Sequence, residues 1–348
     1  MDWRLYWGKL SLFVYKENEQ ILQKTIIDVK EKLNIDFVET FFGYNKVYKF
    51  KDFSLSYLSS TSYSQHLDGI CDINFNSKEL YVICPVVLRY GLYVEENDKN
   101  EYEEIIKLFL KNLKFFNQQK NKHIFFLPGD NKDVYECMQD SIVFTVSPSL
   151  KTNGLPLYYT SPTICNEITD ITTCPIDVSF QGSLNTHSIR PKSVNTLYKI
   201  KNYSTLIECN FEFIEFLENK EYLRSTYKKS IEICKFVLCP RGRGSNSIRF
   251  YEALNFGKIP ILISDDVKLP LESKINYSEF SIKIPEKDVS KIEIYIDEFL
   301  RNHDIKTASE KARETSMKWF SANSISDFVN ESIKEKITKN VVKEQLLV

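Results

Sequence analysis

Glycine is scarce in this chain of 348 residues, with ten in all. None forms a G-x-G-x-x-G after an early strand; the first strand-like run, KLSLFVYKENEQ, is glycine-free. A nicotinamide dinucleotide needs that close backbone approach, so a dehydrogenase reading fails. No G-x-x-x-x-G-K-[ST] occurs either, which excludes a Walker-type triphosphate loop. D-x-D, the acidic pair that holds a metal in one large class of sugar transferases, is also missing. The four histidines (His66, His123, His187, His303) stand apart, and the eight cysteines form no C-x-x-C. Cys234 and Cys239 are five apart with no histidines at zinc-finger spacing, so neither a metal site nor a disulfide framework is expected. Buried thiols in a reducing compartment are the expectation instead. The formal net charge is -1, which argues against nucleic acid as a partner. No apolar stretch approaches the ~20 residues that cross a bilayer. The start, MDWRLYWGKLSLFVYK, is interrupted by charges and lacks a signal-peptide cleavage site.

What is present is apolar and aromatic material: 43% hydrophobic residues, with 20 Tyr and 24 Phe. That is enough for two cores, and two domains of ~100–200 residues fit the length. Most of these rings should pack cores, while some could line a sugar site. Strand and helix signals alternate through the first half. Lys9–Lys16 reads as a strand, and QILQKTIIDVKEKLNI after it has helical spacing. Glu79–Leu88 reads as a buried strand, Glu101–Gln119 as an amphipathic helix, and His123–Asp130 and Ser141–Ser147 as strands. Such alternation predicts an α/β layer structure. Residues 148–176 hold Pro148, Pro156, Pro162 and Pro175 and resist regular structure. We place domain boundaries at 1–160, a linker at 161–176 and a second α/β domain at 177–305. The last segment, 306–348, is read as helices that pack back on the first domain. From Ser324 onward apolar residues (Ile325, Phe328, Val329, Ile333, Ile337, Val341, Val342) are spaced among lysines. This tail could touch a membrane surface, or it could be a terminal helix packed on the body.

The densest chemistry lies in CPRGRGSNSIRFYEALNFGKIPILISDD, Cys239–Asp266. KFVLCP is a buried strand, Ser247–Phe256 a helix stopped by Gly257, and Ile259–Ser264 the next strand. The loop RGRGSNS therefore joins a strand's carboxyl end to a helix's amino end, with Ser245 or Ser247 as cap. In open α/β sheets ligands bind there, and a helix amino end favours anions. Arg241, Arg243 and Arg249 supply three guanidiniums, more than one carboxylate needs, and their forks match phosphate oxygens. Glu252, three residues from Arg249, shares its helix face. It could accept hydrogen bonds from vicinal ribose hydroxyls, or simply pair with Arg249. Together these residues point to a nucleoside diphosphate.

The segment Phe236–Asp288, FVLCPRGRGSNSIRFYEALNFGKIPILISDDVKLPLESKINYSEFSIKIPEKD, resembles the core signature of exostosin-type glycosyltransferases. Shared features are an apolar strand ending in CPRG, a serine, R-x-x-EAL, G-x-IP and a strand ending in Asp. Weaker echoes in KLSLFVY, ELYVICPVVL, NKHIFFLPGD and VSFQGSLNTHSIRPKSVNTL extend the likeness over most of residues 9–290. Departures are LPL (Leu269–Leu271) for LPF, Tyr277 for a frequent tryptophan, and Asn121-Lys122 for the glycine-aspartate before the family's histidine.

The resemblance implies a GT-B fold, two Rossmann-like doubly wound domains facing a cleft. The first would be the acceptor side and the second would hold the nucleotide sugar. It implies an inverting transfer from a nucleoside diphosphate sugar, with UDP as the expected nucleotide, to a hydroxyl of a glycan or glycolipid acceptor. Surface polysaccharide synthesis is the expected setting. Donor-site residues would be Arg241, Gly242, Arg243, Ser245, Ser247, Arg249 and Glu252, with Gly182, Arg190 and Asp265 from neighbouring strands. Arg249 would also act catalytically by stabilising the leaving diphosphate. A base must take the acceptor's proton; His123 and Asp130 are the first candidates, His66 and Asp68 the next. Cationic side chains would replace a metal, so no cofactor or metal is expected. Animal members of the family carry an amino-terminal membrane anchor; its lack in this sequence leads to the expectation of a cytoplasmic enzyme, peripheral to the membrane if the tail touches it. The alternative is a catalytically degenerate member that serves as a glycan-binding or partner subunit.

Overall fold

The computed structural model describes residues 20–42, 45–50, 53–57, 81–82, 86–89, 96–113, 123–127, 136–146, 148, 150, 153–158, 165, 169–210, 220–321, 324 and 327–336. The chain divides into two compact units, Met1–Leu157 with Ser326–Val348, and Tyr158–Ile325.

In the first unit a helix at 20–33 (α1) precedes three short strands, β1 (Val38–Phe42), β2 (Asn45–Phe50) and β3 (Phe53–Tyr57). Two more follow, β4 (Tyr81–Val82) and β5 (Val86–Arg89). β1, β2, β3 and β5 form an antiparallel sheet in that order. A second sheet, of order β4-β6-β7-β8, is parallel; it adds β6 (His123–Leu127), β7 (Ile142–Thr145) and β8 (Leu155–Pro156). α2 (Glu96–Asn112) packs its Ile105, Ile106 and Phe109 with Leu22 and Val29 of α1 and with Phe125 and Val143 of the parallel sheet. Asn112 locks the two helices by donating to Thr25 Oγ1 (3.2 Å) and Asp28 Oδ2 (2.9 Å). The α/β class therefore holds for this unit, but strand–helix alternation gave no warning of the antiparallel sheet. Glu79–Leu88, one strand by its composition, is split between the two sheets. The expected strand at Lys9–Lys16 lies outside the described residues.

A last helix, 327–336, belongs to the first unit. Its Phe328, Val329 and Ile333 are buried, and Lys336 Nζ donates to the carbonyls of Ser141 (2.9 Å) and Asn153 (3.2 Å). These three apolar residues are thus core, and they are not available to a membrane as the tail's composition allowed. Ile325, Ile337, Val341 and Val342 lie outside the described residues.

The second unit carries five parallel strands: β9 (Ile176–Ser183), β10 (Thr205–Asn210), β11 (Cys234–Pro240), β12 (Ile259–Ile263) and β13 (Ile282–Ile284). Their order is β10-β9-β11-β12-β13. Helices connect them: α3 (Ile189–Leu197), α4 (Lys220–Glu232) and α5 (Ile248–Asn255). α6 (Ile292–Asn302) and α7 (Ile305–Trp319) complete the unit. The first strand is internal, and the chain winds first to one side and then to the other. This is a doubly wound sheet whose direction reverses between β9 and β11. β11 and β12 are nearly continuous apolar runs because a central parallel strand is covered on both faces. α5 ends in a Schellman motif. Gly257 adopts φ 63°, its N–H donates to Leu254 O (3.0 Å), and the Lys258 N–H donates to Ala253 O (2.9 Å). The stretch read as a linker, 161–176, is grouped with this unit, as is α7.

Six cysteines are described, all as free thiols; Cys165, Cys174, Cys234 and Cys239 are buried. Burial pushes the Cys234 thiol up to about 12 and Cys239 higher still. Iodoacetamide at pH 8 should leave both unlabelled in the native protein, as read by peptide mass mapping. Labelling of either before unfolding would contradict the placement of β11 inside the sheet. Among the described residues no helix is long and apolar enough to cross a membrane, and no group of three or more His, Cys, Asp or Glu could hold a metal ion.

Candidate functional site

The carboxyl ends of β9 and β11, where the winding reverses, carry Gly182–Ser183 and Pro240–Arg241. Both loops are fixed by main-chain and side-chain bonds. The Arg241 N–H donates to Ile263 O (3.0 Å), and Ser264 Oγ donates to Ser245 O (2.8 Å), tying the loop after β11 to β12. Arg190, in the first turn of α3, donates from Nε to Arg241 O (3.0 Å) and from Nη1 to Ser183 O (2.8 Å). It therefore clamps the two strand ends together, a task different from the phosphate contact the sequence suggested for it. Gly242 packs under this clamp: a Cβ there would lie 3.1 Å from Arg190 Nη2. Arg190→Ala should cost roughly 1–3 kcal/mol of stability by removing two charge-assisted bonds. Urea unfolding would show it, and an unchanged midpoint would mean that the clamp holds nothing.

Arg249 enters from the first turn of α5 and is 8% exposed. Its Nη2 donates to Gln181 O, and its guanidinium lies over the rings of Phe180 (4.8 Å) and Tyr227 (5.6 Å). Gly182 makes room for it. The glycine has φ 155°, and a Cβ there would stand 2.6 Å from Nη2. So the missing side chain at 182 serves the arginine first. Among the described residues Arg249 makes no ion pair. The simple Arg249–Glu252 pairing is therefore not formed, and Glu252, 4% exposed, instead accepts from the Tyr227 hydroxyl at Oε2.

Arg241 is 6% exposed and sits 3.5 Å from Glu286 Oε1 through Nη1. Its Nε and Nη2, and the Nε of Arg249, are buried without a hydrogen-bond partner. Leaving a buried charged donor unmade costs on the order of 1–3 kcal/mol or more, so these nitrogens form a standing demand for an acceptor. Beside them, α5 presents its amino end with no side-chain cap. Ser247 occupies the N-cap position, but its hydroxyl does not bond the helix. Asn246 Oδ1 takes the Ser247 N–H (2.8 Å), and Asn246 Nδ2 donates to the Tyr251 hydroxyl (2.9 Å). Ser245 is wholly buried, and its carbonyl accepts from Ser264 Oγ. Arg243, in the same loop, is half-buried.

Asp265 lies at the end of β12 and is exposed. Its Oδ1 accepts the Glu286 N–H at 2.8 Å, which ties the segment after β13 to the turn after β12. This bond brings in Glu286, which sequence reasoning missed. Tyr227, Phe180 and Gln181 were missed as well; a tyrosine on an amphipathic helix carries no signal beyond core packing. His123 is the first residue of β6, 1% exposed and stacked on Phe125 at 6.4 Å between centroids. Parallel sheets bind ligands at their carboxyl ends, and His123 is at the amino end. It is a core histidine in this structure, so we do not carry it forward as the base. Asp130, His66 and Asp68 lie outside the described residues.

Residues 172–299 match the family model of the Exostosin GT47 domain. A "Probable glucuronosyltransferase" of Oryza sativa subsp. japonica is 31% identical over 122 residues, 34% of this chain and 27% of the relative. The "Probable glucuronoxylan glucuronosyltransferase IRX7" of Arabidopsis thaliana is 22% identical over 240 residues, 61% of this chain and 52% of the relative. The chain thus spans about a quarter to a half of the length of these relatives. Among solved structures, a GtfA/B complex aligns with 86% of this chain and 65% of its own at 11% identity and a TM-score of 0.38, too distant a likeness to build on. The matched segment 172–299 contains β9 to most of α6, the reversed sheet and both arginine-bearing loops, and it is over this segment that the chain is similar to the exostosin GT47 domain.

Proposed function

We propose that this chain is an inverting glycosyltransferase that moves a sugar from a nucleoside diphosphate sugar, a UDP-sugar, to a hydroxyl of a glycan acceptor. One observation carries the reading: three buried guanidinium nitrogens of Arg241 and Arg249 lack partners beside the uncapped amino end of α5, at the point where the sheet reverses. A diphosphate is the anion that satisfies several N–H donors at once. As the bond from sugar to phosphate breaks, negative charge grows on the departing diphosphate. Arg241, Arg249 and the helix end stabilise it without reorganising, which is where catalysis by electrostatics is largest. Glu252 is the carboxylate for the ribose hydroxyls. These cations supply the charge that a metal would otherwise bring, so neither metal nor cofactor is proposed. Asp130 is the remaining first choice for the base that takes the acceptor's proton.

Relatives named as glucuronosyl- and xylosyltransferases make UDP-glucuronic acid and UDP-xylose the first donors to try. Surface polysaccharide synthesis on the cytoplasmic side is the setting we propose. The test is calorimetric titration with UDP, GDP, CDP and CMP in the presence of a chelator. Metal-independent UDP binding supports the reading. Failure of every nucleotide to bind would leave the chain as a degenerate member that binds glycans or a partner.

A further inference from the structure

A single tyrosine touches both Arg249 and Glu252 of the proposed donor site. Tyr227 comes from α4, which lies between β10 and β11 in the chain. Its ring lies 5.6 Å from the Arg249 guanidinium, opposite in charge to the carboxylate that its hydroxyl bonds. The hydroxyl can only donate to an ionised Glu252. Burial, and after it the nearby Glu252 charge, push the Tyr227 hydroxyl well above its ordinary value despite the Arg249 cation, so the proton stays on the tyrosine. Glu252 is 4% exposed and makes this bond in place of one with Arg249, three residues away on the same helix. A buried carboxylate held in that way is an acceptor, and it selects O–H donors in a ligand.

We infer that Tyr227 is a positioning residue that orients Glu252 for a vicinal diol, so that the site selects ribonucleoside over 2′-deoxyribonucleoside diphosphates. The inference rests on the nucleotide reading above. It assigns Tyr227 two separable tasks. The ring packs the arginine, and the hydroxyl sets the carboxylate. Tyr227→Phe keeps the first and removes the second.

Three probes separate these tasks: UDP, 2′-deoxy-UDP and inorganic diphosphate, each titrated into wild type and Tyr227→Phe. The wild type should bind UDP more tightly than 2′-deoxy-UDP. Tyr227→Phe should lower UDP affinity about 5- to 20-fold, the range for losing one bond to a charged group. It should shrink the ratio between the two nucleotides and leave inorganic diphosphate unchanged. Two results would overturn the inference: an unchanged ratio while UDP still binds, or a parallel loss for inorganic diphosphate, which would mean that the tyrosine acts through the fold. If the wild type binds neither UDP nor diphosphate, the nucleotide reading itself fails and this inference falls with it.

Discussion

Arg249→Ala should lower the affinity for UDP by about ten- to a hundredfold, the equivalent of ~1.5–3 kcal/mol for a bond to a charged group. Inorganic diphosphate should weaken in parallel, because in the proposed site the lost donor serves phosphate and not ribose. The side chain is worth more than its charge. It bridges Gln181 O and lies over both Phe180 and Tyr227, so its removal also opens a gap between two rings. A drop in melting temperature should accompany the weaker binding. Arg249→Lys separates the two effects. Lysine keeps the cation but lacks the planar fork, so it should recover part of the stacking and little of the phosphate contact. Calorimetry beside thermal melts would measure this. Equal UDP affinity in wild type and Arg249→Ala would remove the arginine from the donor site.

Gly182→Ala is expected to have an effect of similar size by a different route. The backbone at φ 155° strains any side-chain-bearing residue, at a cost of ~1–3 kcal/mol. The added Cβ would also stand 2.6 Å from Arg249 Nη2. A flexible side chain could swing away from such a clash, but this one is held by a carbonyl and two rings. Gly182→Ala should therefore lose both stability and UDP affinity. In the Arg249→Ala background the clash has no partner, so the alanine should cost less there than alone. That departure from additivity is the specific signature. Additive losses would mean that glycine 182 and Arg249 act independently.

The sequence made some of this site legible and hid the rest for physical reasons. β11, its loop and α5 could be read because a central parallel strand needs an unbroken apolar run, and because Gly257 marks the helix end. Arg241 and Arg249 stood out as charge where an anion would bind. Which donors are left over could not be read: Arg190 spends two on carbonyls, and its neighbours in the chain give no sign of it. Ser247 has the right identity and position for a cap, yet its hydroxyl makes no capping bond, and Asn246 takes the Ser247 N–H. Tyr227 reaches the site only because α4 and α5 meet in three dimensions. His123 looked catalytic by type, and only the sheet direction shows that it sits at the amino end of its strand. The antiparallel sheet of the first unit was lost because its strands are four to six residues long and fall outside any helix–strand alternation.

The strand order of the second unit bears on how it is made. β9 leaves the ribosome first, and β10 soon follows to cover one of its edges. The other edge waits for Cys234–Val237, which pair with Ile176, Val178 and Ser179 only after α4 has been synthesised. Until then an apolar strand with open hydrogen-bonding groups is exposed to wrong partners. The bonds from Arg190 to Arg241 O and from Arg249 to Gln181 O form only once β11 and α5 are in place, so the proposed anion site cannot exist before them. On the nucleotide reading, a nascent chain could not hold a nucleotide before then, and bound nucleotide would report that β9, β11 and α5 have come together.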